Sequence, residues 1–299
     1  MNTGFLYQAI LLMASLILVA TPALGQTVQK PLGDKENPLL IGKRDLNTDR
    51  INFYSLDQEI TLGRELAVEV DRGVRLVDDQ LVTEYVNRVG QNIVLHSDAR
   101  MPFTIKIIDS DDLNAFALPG GYLYVGRAVL EAADSEAELA WVMAHLIGHV
   151  AARHALEQAS KAKNGTSTPL IFFGGQAARL AVPLTFLKFS RGAEEEADQL
   201  GAQYIWASGY DPQAPGDFFK KLQLKEGANP GTFLRLFSEH LMTGDRIAKV
   251  NRLVARFPDR LEFKPNSFEF SIIKARLMAS YPEKRQADSP NTHPVLKRR

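Results

Sequence analysis

Apolar residues at Val82, Tyr85, Val86, Val89 and Ile93 recur at the three-and-four spacing that lines one face of a helix. Upstream, "SLDQ" from Ser55 offers a Ser-x-x-Gln capping box, which predicts a helix running to about Asp71. The period then shortens to two. "FTIKIID" (103–109) alternates as a strand, and "AFALPGGYLYVG" (115–126) reads as two short strands about a Pro-Gly-Gly turn. Ser135 and Glu138 form a second capping pattern ahead of a long helix that carries "AWVMAHLIGHVAARH" (140–154). A further helix is expected from Ser190 through "SRGAEEEADQLGAQYIWASG", with Gly209 suited to its end. Helical pattern returns at "PGDFFKKLQLK" and "GDRIAKVNRLVARF". These elements imply an α+β fold, mostly helical, with a small sheet beside the long helix.

The two ends of the chain differ from this body. "AILLMASLILVA" (9–20) is too short for a comfortable membrane span, and it is followed by Pro22 and the small residues Ala23 and Gly25. That pattern predicts a signal peptide over 1–25, cut near Gly25-Gln26, with a retained anchor as the alternative. Residues 26–50 are polar and without period, an extended arm or linker; 51–258 form the main domain, and 259–299 a C-terminal extension with a disordered basic tail. The apolar stretch 169–189 is broken by Gly174, Gly175, Arg179 and Pro183. It suits a buried loop or short helices over a cleft better than a membrane helix, so no stable span is expected after signal cleavage.

Composition adds a few exclusions. Lys+Arg and Asp+Glu both number 35, so no charge excess points to nucleic acid. With no cysteine among 299 residues, neither a lipidated cysteine nor a disulfide is available. An exported, periplasmic protein is the resulting expectation.

The long helix carries the chemistry. His145 and His149 lie one turn apart, so both rings leave the same face and can reach one zinc ion. The same spacing also suits two histidines that merely pack. On the later helix Glu194 and Asp198 are again one turn apart. Glu194 can supply a third ligand, and Asp198 can accept the other ring N–H of a ligating histidine. Glu195 and Glu196 fit a solvated acidic face. Arg153 and His154 fit packing or surface roles, and His96 and His293 carry no assigned chemistry.

Four stretches in order carry a resemblance: "NAFALPGG" (114–121), "HLIGH" (145–149), Ser190-Arg191-x-x-Glu194-x-x-Ala197-Asp198, and "FSEHLMTGDRI" (237–247). Across about residues 55–255 the chain resembles the metalloendopeptidases that include the HtpX, BepA and CAAX prenyl proteases, peptidase family forty-eight of the metallo class. The resemblance implies a zincin-like domain with one zinc ion on His145, His149 and Glu194. It also implies a role for His240 near the zinc or the reaction intermediate, although Leu241 stands where periplasmic members often have proline. Arg246 falls at the family's Arg-Ile position, either as an ion pair or as part of the reaction. Unfolded or outer-membrane polypeptide is the implied client, with Asn114, Ala115 and Phe116 on an edge strand that pairs with it.

One position departs from that pattern. In such proteases the glutamate after the first histidine takes a proton from the attacking water and delivers it to the leaving amine. Here that position is Leu146, which can carry no proton. Two functions follow as expectations: a zinc endopeptidase with impaired hydrolysis, or a pseudoprotease that binds peptide through its edge strand.

Overall fold

The computed structural model describes residues 31–48, 50–111, 113–164, 189–213, 218 and 244–281. Helix α1 (Leu56–Gly73) starts on a complete capping box, with Ser55 Oγ accepting from Gln58 N and Gln58 Oε1 accepting from Ser55 N. Helix α2 (Gln80–Leu95) is capped by the Asp79 carboxylate. Strands β1 (Thr104–Ile108), β2 (Ala115–Leu118) and β3 (Tyr122–Gly126) follow, then α3 (Arg127–Ala132), α4 (Glu136–Ala151) and α5 (His154–Asn164). After the segment 165–188 come α6 (Arg191–Ala207), α7 (Gly244–Val254) and α8 (Phe268–Ser280). The second capping pattern is realised only in part. Ser135 accepts from Glu138 N, but the Glu138 carboxylate reaches back past Ser135 to Asp134 N at 2.7 Å.

The sheet has the order β1-β3-β2, with β1 parallel and β2 antiparallel to β3. Alternation sends Ile105, Ile107, Ala115, Ala117, Leu123 and Val125 into the main core, shared with α2 and α4. Phe116, Leu118 and Tyr124 point the other way, where Leu62, Leu66, Ala67 and Val70 of α1 cover them. A three-stranded sheet is thus buried on both faces. Its Pro119–Gly121 turn lies against α1, where a Cβ on Gly63 would fall 1.9 Å from Pro119 O. The turn needs Gly120 and Gly121 at φ 74° and 85°, a region that disfavours side chains.

Helix α4 is apolar all round and occupies the middle of the domain, with every residue from Glu138 to Ala151 buried. Its most extensive partner is α6. Two glycines set their separation: a Cβ on Gly148 would lie 3.0 Å from Ala197 O, and one on Gly201 would lie 3.1 Å from His145 N. At the start of α4, Glu136 accepts hydroxyls from Tyr85, Tyr210 and Ser267, tying α2, the end of α6 and α8 to one carboxylate.

Two domain expectations change. Residues 26–50 were expected as an extended arm, but their described part makes turns and a short 3-10 helix and docks on the body. Leu46 is buried, Arg44 pairs with Asp98 at 2.7 Å and reaches Gln203, and Gly42 N donates to Asp98. Those polar residues are contacts, so the low hydrophobicity of the segment did not mean solvation. The extension from 259 likewise begins inside the fold, since α8 buries Phe270, Ile273 and Leu277 in the main core. The expected signal peptide, the apolar stretch up to 188, the helix expected at "PGDFFKKLQLK" (but for Phe218) and the basic tail lie outside the described residues. Among the described residues no helix is long and apolar enough to cross a membrane.

Gly148→Val should destabilise the domain by about 2 kcal/mol through overpacking against α6. Gly192→Ala should cost nothing, because its Cβ meets only Ser190 Oγ at 4.0 Å; urea unfolding of both variants tests this. A second expectation concerns acid. Burial would raise the Glu136 carboxyl, but the hydroxyls of Ser267, Tyr210 and Tyr85 and the charge of Lys264 outweigh it and leave its pKa below the ordinary value. A lowered folded-state pKa stabilises above the unfolded value of about 4.3 and loses that contribution as pH falls through the folded value. Urea unfolding followed from pH 6 downward should therefore show a shallower acid loss in Glu136→Gln than in the parent chain.

Candidate metal centre

The crossing of α4 and α6 brings four of the expected residues together. His145 and His149 project from one face of α4 with their Nε2 atoms 3.1 Å apart. From α6, Glu194 places Oε2 3.4 Å from His145 Nε2 and Oε1 3.5 Å from His149 Nε2. One ligand atom from each of the three lies within 4.8 Å of the others, and all three residues are buried. Asp198, one turn along, puts Oδ1 3.0 Å from His145 Nδ1. Aromatic rings wall the pair: Trp141 stacks on His145 at 5.6 Å and Phe189 on His149 at 4.1 Å between centroids.

The donor chemistry fits a cation. An ionised Asp198 only accepts, so His145 carries its proton on Nδ1 when neutral and turns the Nε2 lone pair toward Glu194. His149 has its own Nδ1 engaged on the far side by His154, at 2.9 Å. Two nitrogens about 2.05 Å from one tetrahedral ion must stand about 3.3 Å apart. The separations of 3.1, 3.4 and 3.5 Å among the three ligand groups match that requirement.

Electrostatics point the same way. Burial opposes a proton on His145, yet the Asp198 and Glu194 carboxylates outweigh it and raise its pKa above the ordinary imidazole value. Burial dominates at His149 and, with His145 and His154 alongside, holds it well below that value despite Glu194. A cation entering the cluster displaces whatever proton His145 Nε2 carries.

Arg246, on α7, closes the far side. Its Nη2 lies 2.8 Å from Asp198 Oδ1 and 3.1 Å from Glu194 Oε2, and its Nε lies 2.5 Å from Asp198 Oδ2. The guanidinium therefore bonds two buried carboxylates at once, and one of them is a candidate ligand. Of the two roles open in the sequence, the ion pair is present.

Several residues stand elsewhere than expected. Glu196 is only partly solvated: with 24% of its side chain exposed it bonds His154 at 3.1 Å and pairs with Arg50, while Glu195, 27% exposed, pairs with Lys249. His154 is 2% exposed and touches the candidate ligand His149, which residue spacing alone did not disclose because the helix ends between them. The only available signal was a third histidine closely following the pair. Asn114 immediately precedes β2, one of the sheet's two edge strands, which Ala115 and Phe116 begin, with Ala115 in the core and Phe116 facing α1. Leu146 is 2% exposed within the main apolar core. His240 lies outside the described residues, and His96 is an exposed residue at the end of α2.

The comparisons agree with this geometry. A family model described as Peptidase family M48 matches residues 80–299. The beta-barrel assembly-enhancing protease of Escherichia coli (strain K12) is 30% identical over 289 residues, covering 88% of this chain and 56% of the relative. The corresponding protein of Yersinia pestis is 32% identical over 60% of this chain and 40% of its own. The mitochondrial metalloendopeptidase OMA1 of Schizosaccharomyces pombe is 29% identical over 68% of this chain and 63% of its own. The chain thus spans about half the length of the bacterial relatives it matches.

Arg246→Met removes the guanidinium that bonds both Glu194 and Asp198 and leaves the two carboxylates buried beside each other. Breaking such a pair costs about 3–5 kcal/mol. Urea unfolding in the presence of a chelator should show a loss of that order, and a loss below about 1 kcal/mol would contradict the assignment.

Proposed function

We propose, from the premise that this chain belongs to Peptidase family M48, that it is an exported zinc-binding metalloendopeptidase-family protein with impaired peptide hydrolysis. Its setting is the periplasm and the quality control of envelope proteins, with unfolded or outer-membrane polypeptide as client. The carrying observation is the convergence of His145, His149 and Glu194 next to an apolar Leu146. Export is supported by the apolar run 9–20 and the small residues before Gln26. The client is supported by relatives named for assembling β-barrels.

Bound zinc supplies a Lewis acid for the scissile carbonyl and a lowered pKa for the attacking water. The chain's own residues do the rest. His145, His149 and Glu194 hold the ion, Asp198 orients His145, and Arg246 fixes the Glu194 carboxylate. What is missing is the proton carrier. Leu146 can neither accept a proton from water nor pass one to the leaving amine, and general acid–base help is worth ~10²–10⁴-fold. Among the described residues, two other carboxylates are committed elsewhere: Glu138 bonds Asp134 N at the start of α4, and Glu196 bonds His154 and Arg50.

A second reading, a peptide-binding pseudoprotease, draws on the position of β2. It lies at an edge of the sheet against α4, where strand addition along 114–116 would use the main-chain groups turned away from β3, Asn114 O being held by Gly126 N. Such pairing needs no general base.

The test compares the chain as it stands with Leu146→Glu on an unfolded substrate, with zinc content measured in both. Stoichiometric zinc in each, with cleavage faster by ~10²-fold or more in the Glu variant, is the expected result. Equal, chelator-sensitive cleavage would defeat the claim of impairment. Absence of zinc from both would defeat the ligand assignment.

A further inference from the structure

Helix α4 ends at Ala151, two residues past His149, and the way it ends determines what lies behind the candidate ligand. Had the helix continued, residue 154 would stand about 140° around the axis from His149, facing away from it. Instead Arg153 adopts φ 54°, a left-handed conformation rare for a residue with a side chain. Its guanidinium holds that turn: Nε lies 2.6 Å from Glu59 Oε2, and Nη2 donates to Tyr54 O at 2.8 Å. The reversal starts α5 at His154 and brings its ring edge-on to His149, with centroids 4.9 Å apart.

The contacts made there run in one direction. His154 Nδ1 is 2.9 Å from His149 Nδ1, and His154 Nε2 is 3.1 Å from Glu196 Oε2. Glu196 in turn pairs with Arg50, which also holds Glu157 at 2.6 Å. Glu196 is paired with the Arg50 guanidinium, and a carboxylate held by a guanidinium only accepts. The proton of a neutral His154 therefore sits on Nε2, and its Nδ1 has a lone pair to offer. Only a proton on His149 Nδ1 satisfies that lone pair at 2.9 Å.

We propose that His154 is a positioning residue for the metal ligand His149: anchored by Glu196 and Arg50, it fixes the Nδ1–H tautomer and turns the His149 Nε2 lone pair into the cluster. The proposal rests on the metal-site reading above. It assigns opposite outer partners to the two ligand histidines, Asp198 for His145 and an imidazole for His149. It also links the ligand to the N-terminal segment through Arg50.

The experiment combines zinc affinity, by chelator competition, with ¹⁵N NMR of the histidine rings in the zinc-free protein. His154→Leu removes the acceptor and should weaken zinc binding by about 10–100-fold, the usual cost of losing such a partner. His154→Asn keeps an acceptor near the Nδ1 position and should recover most of the loss. The unsubstituted apoprotein should show His149 protonated on Nδ1, and His154→Leu should show a mixture of tautomers. A His149 protonated on Nε2 in the unsubstituted protein overturns the proposal, as does unchanged zinc affinity in His154→Leu or equal loss in both variants. If His154→Leu does not fold, the tautomer in the unsubstituted protein decides alone. If the unsubstituted protein binds no zinc, the metal-site reading fails, while the tautomer still judges the contact between the two histidines.

Discussion

Two carboxylates on one face of α6, Glu194 and Asp198, are removed from water almost completely, with exposures of 3% and 1%. An unpaired buried carboxylate costs several kcal/mol even after relaxation. Arg246 supplies one positive charge to the pair, and the histidine rings supply dipoles and, at His145, a tendency to protonate. Among the described residues, two negative charges thus face one permanent positive charge, which leaves a demand for a cation. The three ligand atoms converge where that demand is concentrated. This imbalance can exist only because α4 and α6 meet closely at Gly148 and Gly201.

The remaining architecture serves that crossing. The two-faced sheet and α2 enclose α4 so fully that its ring nitrogens meet protein rather than water. Glu136 gathers three hydroxyls at the helix start, and Arg153 and Glu59 brace its end. The polar N-terminal segment contributes through Arg44 and Arg50, which bond to residues on or beside α6. Rigid second partners of this kind hold ligand rings within the small tolerance that metal coordination allows.

Leu146 sharpens the question of what such a site is for. A chain under no pressure to keep the cluster would be expected to relieve buried charge with apolar replacements, which are often neutral or stabilising. Here the costly members, His145, His149, Glu194, Asp198 and Arg246, are all present, and Leu146 is apolar where the proposed function calls for a proton carrier. Metal retention without proton transfer is the combination that both proposed readings share.

Much of this was legible along the chain. The spacing of His145 with His149 and of Glu194 with Asp198, the helix starts at Ser55, Ser135 and Ser190, and the strand pair around Pro119 all depend on periods of two or 3.6 and on turn residues. Such local signals survive without knowledge of the fold. The sequence alone also determined that position 146 carries no proton, because no arrangement of neighbours gives a leucine an ionisable group. Only the tertiary structure decided that Glu196 and His154 stand behind His149, that Arg246 bonds both carboxylates, and that residues 32–50 belong to the body. The reason is geometric. A left-handed residue at Arg153 resets the helical phase, and contacts between residues about 50 to 150 positions apart leave no periodic trace in the order of amino acids.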